Sequence, residues 1–98
     1  VNSLDWLMQW YASQCNGVWE HGHGVDITTI DNPGWQLTIH TIGTHWEGVT
    51  MDEIKHDYDH ETEWFTCKAN GNAFTGFGGP GQLGAMIEVF RGWIEESS

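Results

Sequence analysis

Six consecutive residues, Trp19-Glu20-His21-Gly22-His23-Gly24, set two imidazoles at one-residue spacing beside a carboxylate and an indole. On an extended segment, side chains two apart point the same way, so His21 and His23 could enter one zinc shell. Glu20, His45, His56, His60 or a cysteine would have to complete it at about 2.0–2.3 Å. Zinc needs three or four ligands on a rigid framework, whereas this loop supplies two between glycines that leave it flexible. No metal and no cofactor is therefore expected. Covalent chemistry would need Cys15 as nucleophile with a histidine as base and Glu20 as orienter, and acid–base chemistry would need a pair such as Glu20 with Asp31. Neither set has a spacing that specifies a reaction, and Cys15 falls on a helical apolar stripe where a small buried thiol is ordinary. No catalytic residue is assigned. The run GFGGPGQLG precedes a helix, as phosphate cradles do, but it lacks the lysine and hydroxyl of a P-loop and reads as a turn.

The elements that must position these residues follow from periodicity. Leu4, Leu7, Met8, Tyr11, Ala12 and Cys15 recur at helical spacing from Ser3 to Cys15, with Asn2 or Ser3 as N-cap and Asn16-Gly17 as the stop. Trp6 and Trp10 make a second stripe on that helix, available to a core or to a contact. Val25, Ile27 and Thr29, then Trp35, Leu37, Ile39 and Thr41, alternate with polar residues around Asp31-Asn32-Pro33-Gly34, which predicts a β-hairpin on a type II turn. Gly43 to His60 shows no clean period; a third strand is expected to begin near Thr44, and Met51 to Glu63 to be a solvated loop or strand edge. Trp64 to Ala69 and Asn72 to Phe77 read as strands joined at Asn70-Gly71. Leu83, Met86, Ile87, Phe90, Trp93 and Ile94 trace one face of a second helix. The order predicts an α+β fold: an antiparallel sheet of about four to five strands, with the N-terminal and C-terminal helices packed on one face. Residues 1–98 are expected to form one domain, with Trp35 and Trp64 in its core.

Composition narrows the partner. With 39% hydrophobic residues and seven tryptophans, the chain has ample apolar surface to bury. No apolar run approaches the roughly 20 residues that span a bilayer, and the N-terminus lacks a signal peptide's basic and apolar regions, so the cytoplasm is the expected compartment. Fourteen acids against Lys55, Lys68 and Arg91 give a formal charge of −11. That field repels nucleic acid and anionic lipid and draws in basic protein surfaces. Cys15 and Cys67 form no CxxC pair, and no structural disulfide is expected.

Longer motifs carry a resemblance. WYASQCNGVWEHGHGVDITTIDNPGW, from Trp10 to Trp35, is similar to the pattern WYxxQC(D/N)GxWEH followed by GVxIxTxDNPGW of the Immunity protein 53 family of bacterial polymorphic toxin systems. WFTCK at Trp64, FTGFGGPGQL at Phe74 and FRGW at Phe90 follow in that family's order, so the resemblance covers nearly the whole chain. His21 lies within the family-like WEH, while His23 looks peculiar to this chain, and position 16 is often Asp in relatives. The resemblance implies a small cytoplasmic protein that binds and blocks a cognate toxin domain without catalysis. The charge suggests a basic toxin, such as a nuclease or another enzyme with a cationic cleft. The residues expected to bind it are Asp52, Glu53, Asp57, Asp59, Glu61 and Glu63, with the exposed members of Trp19, Glu20 and His21. The alternatives are a small metal-dependent or cysteine-dependent enzyme, and an acidic interaction adaptor.

Overall fold

Asn2 opens the first helix, α1 (Ser3–Gln14): its side-chain oxygen accepts the Asp5 N–H at 2.8 Å, satisfying one of the amide donors that a helix start leaves unpaired. A short 3-10 turn (Trp19–His21) follows, then β1 (Val25–Ile30), β2 (Gly34–His40), β3 (Thr50–His56), β4 (Phe65–Asn70), β5 (Ala73–Gly78) and α2 (Leu83–Glu96). The structure, a computed structural model, describes residues 2–97. The strands form one sheet in the order β1-β2-β5-β4-β3, and each neighbouring pair is antiparallel. The predicted α+β architecture is the observed one.

Alternation assigns the two faces of the sheet. Leu37, Ile39, Phe74, Phe65, Cys67 and Ala69 point to the helix side and are buried, and Met86, Ile87, Phe90, Trp93 and Ile94 of α2 cover them. Glycines let the helix come close: a Cβ at Gly76 would lie 2.9 Å from Met86 Sδ, and one at Gly78 3.2 Å from the same atom. Helix α1 packs chiefly on α2, and aromatic rings join the layers. Phe90 is the hub, with Trp10 at 4.9 Å, Phe74 at 5.1 Å, Trp6 at 5.9 Å and Trp93 at 6.0 Å between ring centroids, within the range where edge-on and tilted pairs attract.

Four local expectations change. Helix α1 buries Trp10 and Leu7 and half-buries Trp6, leaving Leu4, Met8, Tyr11 and Cys15 exposed. An indole offers more area to the core than any residue of the other stripe, so the helix rolls toward its tryptophans. The third strand starts at Thr50 rather than near Thr44. Local bonds hold the intervening chain in turns: Thr44 Oγ1 donates to Thr41 O at 2.6 Å, and Glu47 Oε1 accepts the Gly43 N–H at 2.7 Å. In the first hairpin Gly34 already pairs with Ile30 and no residue from Asp31 to Gly34 takes the positive φ that a type II turn needs, so the turn is not type II. What Gly34 supplies is clearance, because a Cβ there would collide with the Gly78 carbonyl oxygen. Finally, Trp35 packs against the core as expected, but Trp64 stands outside it, edge-on to Tyr58 at 6.0 Å.

Candidate partner-binding surfaces

The segment after α1 is held by two side chains, Asn16 and Glu20, that accept hydrogen bonds from its backbone. Asn16 Oδ1 accepts the N–H groups of Val18 and Trp19, both at 2.9 Å, while the Glu20 carboxylate accepts those of Asn16 at 2.9 Å and Gly17 at 2.8 Å. Gly17 takes φ +89°, which its lack of a side chain permits. An Asp at position 16 would accept the same two bonds. Hydrogen bonds from backbone N–H groups, its own first and then that of Asn16, hold the Glu20 carboxyl below the usual glutamate range. The clasp turns Trp19 inward, where it is 4% exposed, donates Nε1–H to Ile42 O at 2.9 Å and meets Trp10 edge-on at 6.3 Å. His21 is the exposed member of the Trp19-Glu20-His21 trio. His23 is half-buried between the rings of Trp19 and His40, and His40 Nδ1 accepts the Gly24 N–H at 2.9 Å.

A groove of about 570 Å³ opens beside this turn. Leu4, Met8 and Tyr11 of α1 form one wall, Val25 and Ile27 of β1 the other, and His21, His23 and His40 close one end. Of the seven large apolar or aromatic residues left exposed among the described residues, four line it: Met8 at 54%, Leu4 at 52%, Ile27 at 38% and Tyr11 at 37%.

The six acids expected to bind a partner lie elsewhere. Asp52 and Glu53 sit where the register of β3 on β4 shifts, and Asp57, Asp59, Glu61 and Glu63 lie in the loop that follows. All six are exposed. Glu53 lies 3.8 Å from Lys55, Asp57 3.3 Å from His56 and Glu63 3.8 Å from His60; these are exposed pairs in high dielectric, which neutralise little. The loop is nonetheless fixed. His60 Nδ1 accepts the N–H groups of Thr62 at 3.1 Å and Glu63 at 3.0 Å, and the Thr62 carbonyl lies so close to Gly79 that a Cβ there would strike it.

The predicted binding residues therefore form two patches, not one. β1 and β3 are opposite edges of the sheet, four strand spacings or about 19 Å apart. The 3-10 turn lies beyond the Val25 end of the strands and the acidic loop beyond the His56–Phe65 end, so the patches stand diagonally across the molecule. Catalytic pairings fare similarly: Glu20 precedes β1 and Asp31 follows it, about 20 Å of strand apart, and the Glu20 oxygens are taken up by the clasp. Cys67 is buried, and burial pushes its thiol up to about 12. Among the described residues, no three His, Cys, Asp or Glu side chains gather in a group that could hold a metal ion. The groove residues Leu4, Met8 and Ile27 were missed as surface, although two apolar stripes on one short helix are more than one core can take.

Comparison with known proteins decides what kind of protein carries these patches: the Immunity protein 53 profile matches residues 4–95, from the first turn of α1 to the last of α2. The chain belongs to the Immunity protein 53 family. No curated protein and no solved structure matches it. As an Immunity protein 53 chain it is an immunity protein, whose class works by binding a cognate toxin. No helix among the described residues is long and apolar enough to cross a membrane.

Proposed function

We propose that this immunity protein neutralises a toxin domain bearing a cationic cleft, in the cytoplasm, by occluding that cleft without chemistry of its own. The observation that carries the reading is the acidic loop: Asp57, Asp59, Glu61 and Glu63 are exposed on a segment held in place by His60 and by the Thr62–Gly79 approach. Asp52 and Glu53 extend the same field along the β3 edge. Fixed charges of one sign steer a basic partner during encounter and need no reordering on contact. His21 and Glu20 border the other patch, where an apolar groove supplies area that charge alone does not.

Stopped-flow binding to the cognate toxin domain over a salt series tests this. Asp57→Asn, Asp59→Asn and Glu61→Gln together should slow association about tenfold at low salt, leave dissociation nearly unchanged and flatten the salt dependence. An association rate indifferent to both salt and the triple substitution would leave the acids to solubility alone.

A further inference from the structure

The two sheet edges are built differently. β3 carries a register shift between Met51 and Ile54 and the charges Asp52, Glu53 and Lys55, features that keep an edge from pairing with another strand. β1, with sequence VDITTI, pairs with β2 over all six residues without a shift, and Asp26 is its one charge. It is regular, rich in β-branched residues and open along its outer side.

The ladder tells which backbone groups face outward. The His40 N–H donates to the Gly24 carbonyl at 3.0 Å, which puts Gly24 and His40 at a hydrogen-bonding position of the ladder, the Gly24 N–H going instead to His40 Nδ1. Antiparallel ladders alternate, so Asp26, Thr28 and Ile30 turn their N–H and C=O groups toward β2, and Val25, Ile27 and Thr29 turn theirs away. Among the described residues, none of those three makes a backbone bond beyond this strand pair. Their side chains share the helix face of the sheet with Leu37 and Ile39, whereas Asp26 and Thr28 point to the opposite face.

We propose that the β1 edge accepts an extended segment of the toxin as a sixth strand, seated between β1 and α1. This rests on the reading of the chain as a toxin-binding protein. The segment's side chains would alternate, apolar residues entering the groove among Leu4, Met8, Tyr11 and Ile27, and lysine or arginine lying beside Asp26 on the other face. Charge complementarity names this occupant over a second copy of the chain, which would bring another −11 to the same edge.

The test is amide hydrogen exchange on the full chain, with and without a blocked peptide of about ten residues alternating valine and lysine, and with a control peptide of the same composition whose lysines are grouped at one end. The alternating peptide should slow exchange at Val25, Ile27 and Thr29, which lack partners in the free chain, more than at Asp26, Thr28 and Ile30, which are already bonded. Ile27→Pro removes one outward donor and leaves the β2 ladder intact, and should weaken binding about tenfold. Met8→Gln, on the helix wall and exposed, should weaken it without touching the strand. Equal protection by both peptides, or none at those three amides, overturns the proposal. So does protection of β1 by self-association, read by sedimentation. The cognate toxin domain, run alongside, separates the two readings. A toxin that binds yet leaves Val25, Ile27 and Thr29 unprotected sinks the strand addition alone, and a toxin that does not bind sinks the proposed function while the peptide still reports on the edge.

Discussion

Single residues carry more of the local structure here than their exposure suggests. Glu20 reads in the sequence as a candidate orienter or acid, yet its oxygens close the turn that buries Trp19. Its folded-state pKa is lowered, so its contribution to stability is complete above the ordinary glutamate pKa of about 4.3 and is lost as pH falls through the lower folded value. Glu20→Gln should therefore lower the melting temperature at neutral pH, and the gap between the two proteins should close in melts carried down to about pH 3. The cysteines invert expectation in another way. Cys15 looked like a buried thiol because it follows Leu4, Met8 and Tyr11, but that stripe faces solvent once the tryptophans take the core. An aromatic disulfide reagent should label Cys15 at once and Cys67 only on unfolding, since burial keeps the Cys67 thiol protonated and screened. Simultaneous labelling of both in the native protein would contradict the packing around Cys67.

At the level of elements, β1, β2, β4, β5 and both helices were legible because their signals are local: alternation in the strands, the single apolar face of α2, and the Asn2 cap; β3, with no clean period, was not placed. The misread places depend on partners distant in sequence. Nothing within Gly43 to Val49 announces that the Gly48 N–H will donate to the Gly71 carbonyl at 2.7 Å, and nothing near Leu4 says that Phe90 will attract Trp6 and Trp10 instead. The GFGGPGQLG run shows the same dependence. Its Gly79 is needed because the acidic loop crosses it at Thr62, a meeting of segments seventeen residues apart. Gly79→Ala should thus cost about 1–3 kcal/mol in urea unfolding by forcing the two backbones apart. Gly81→Ala, where a Cβ meets nothing within 4 Å, is the matched control and should cost much less.

For the whole molecule, charge and shape act together. A chain with a formal charge of −11 repels itself when folded, and its acidic loop concentrates that charge at one corner of a body 41 × 25 × 22 Å in extent. Salt should then act with opposite signs on the two processes: raising ionic strength from about 10 to 150 mM shortens the Debye length from about 30 to 8 Å, which should raise the melting temperature of the free protein while slowing its capture of the toxin. A melting temperature that falls over that range would mean that the exposed ion pairs at Glu53, Asp57 and Glu63 outweigh the repulsion. The sequence conveyed the size of this charge, but not that its acidic stretch and the Trp19-Glu20-His21 turn would lie on opposite corners, because only strand order decides that. The placement of Trp64 has an optical consequence. Six of the seven tryptophans lie in the core or against it, and Trp64 alone stands with Tyr58 beside the acidic loop. The chain's emission thus has a built-in division: a core population that reports folding, and a single indole at the loop whose quenching reports arrival of a partner there, with no dye attached.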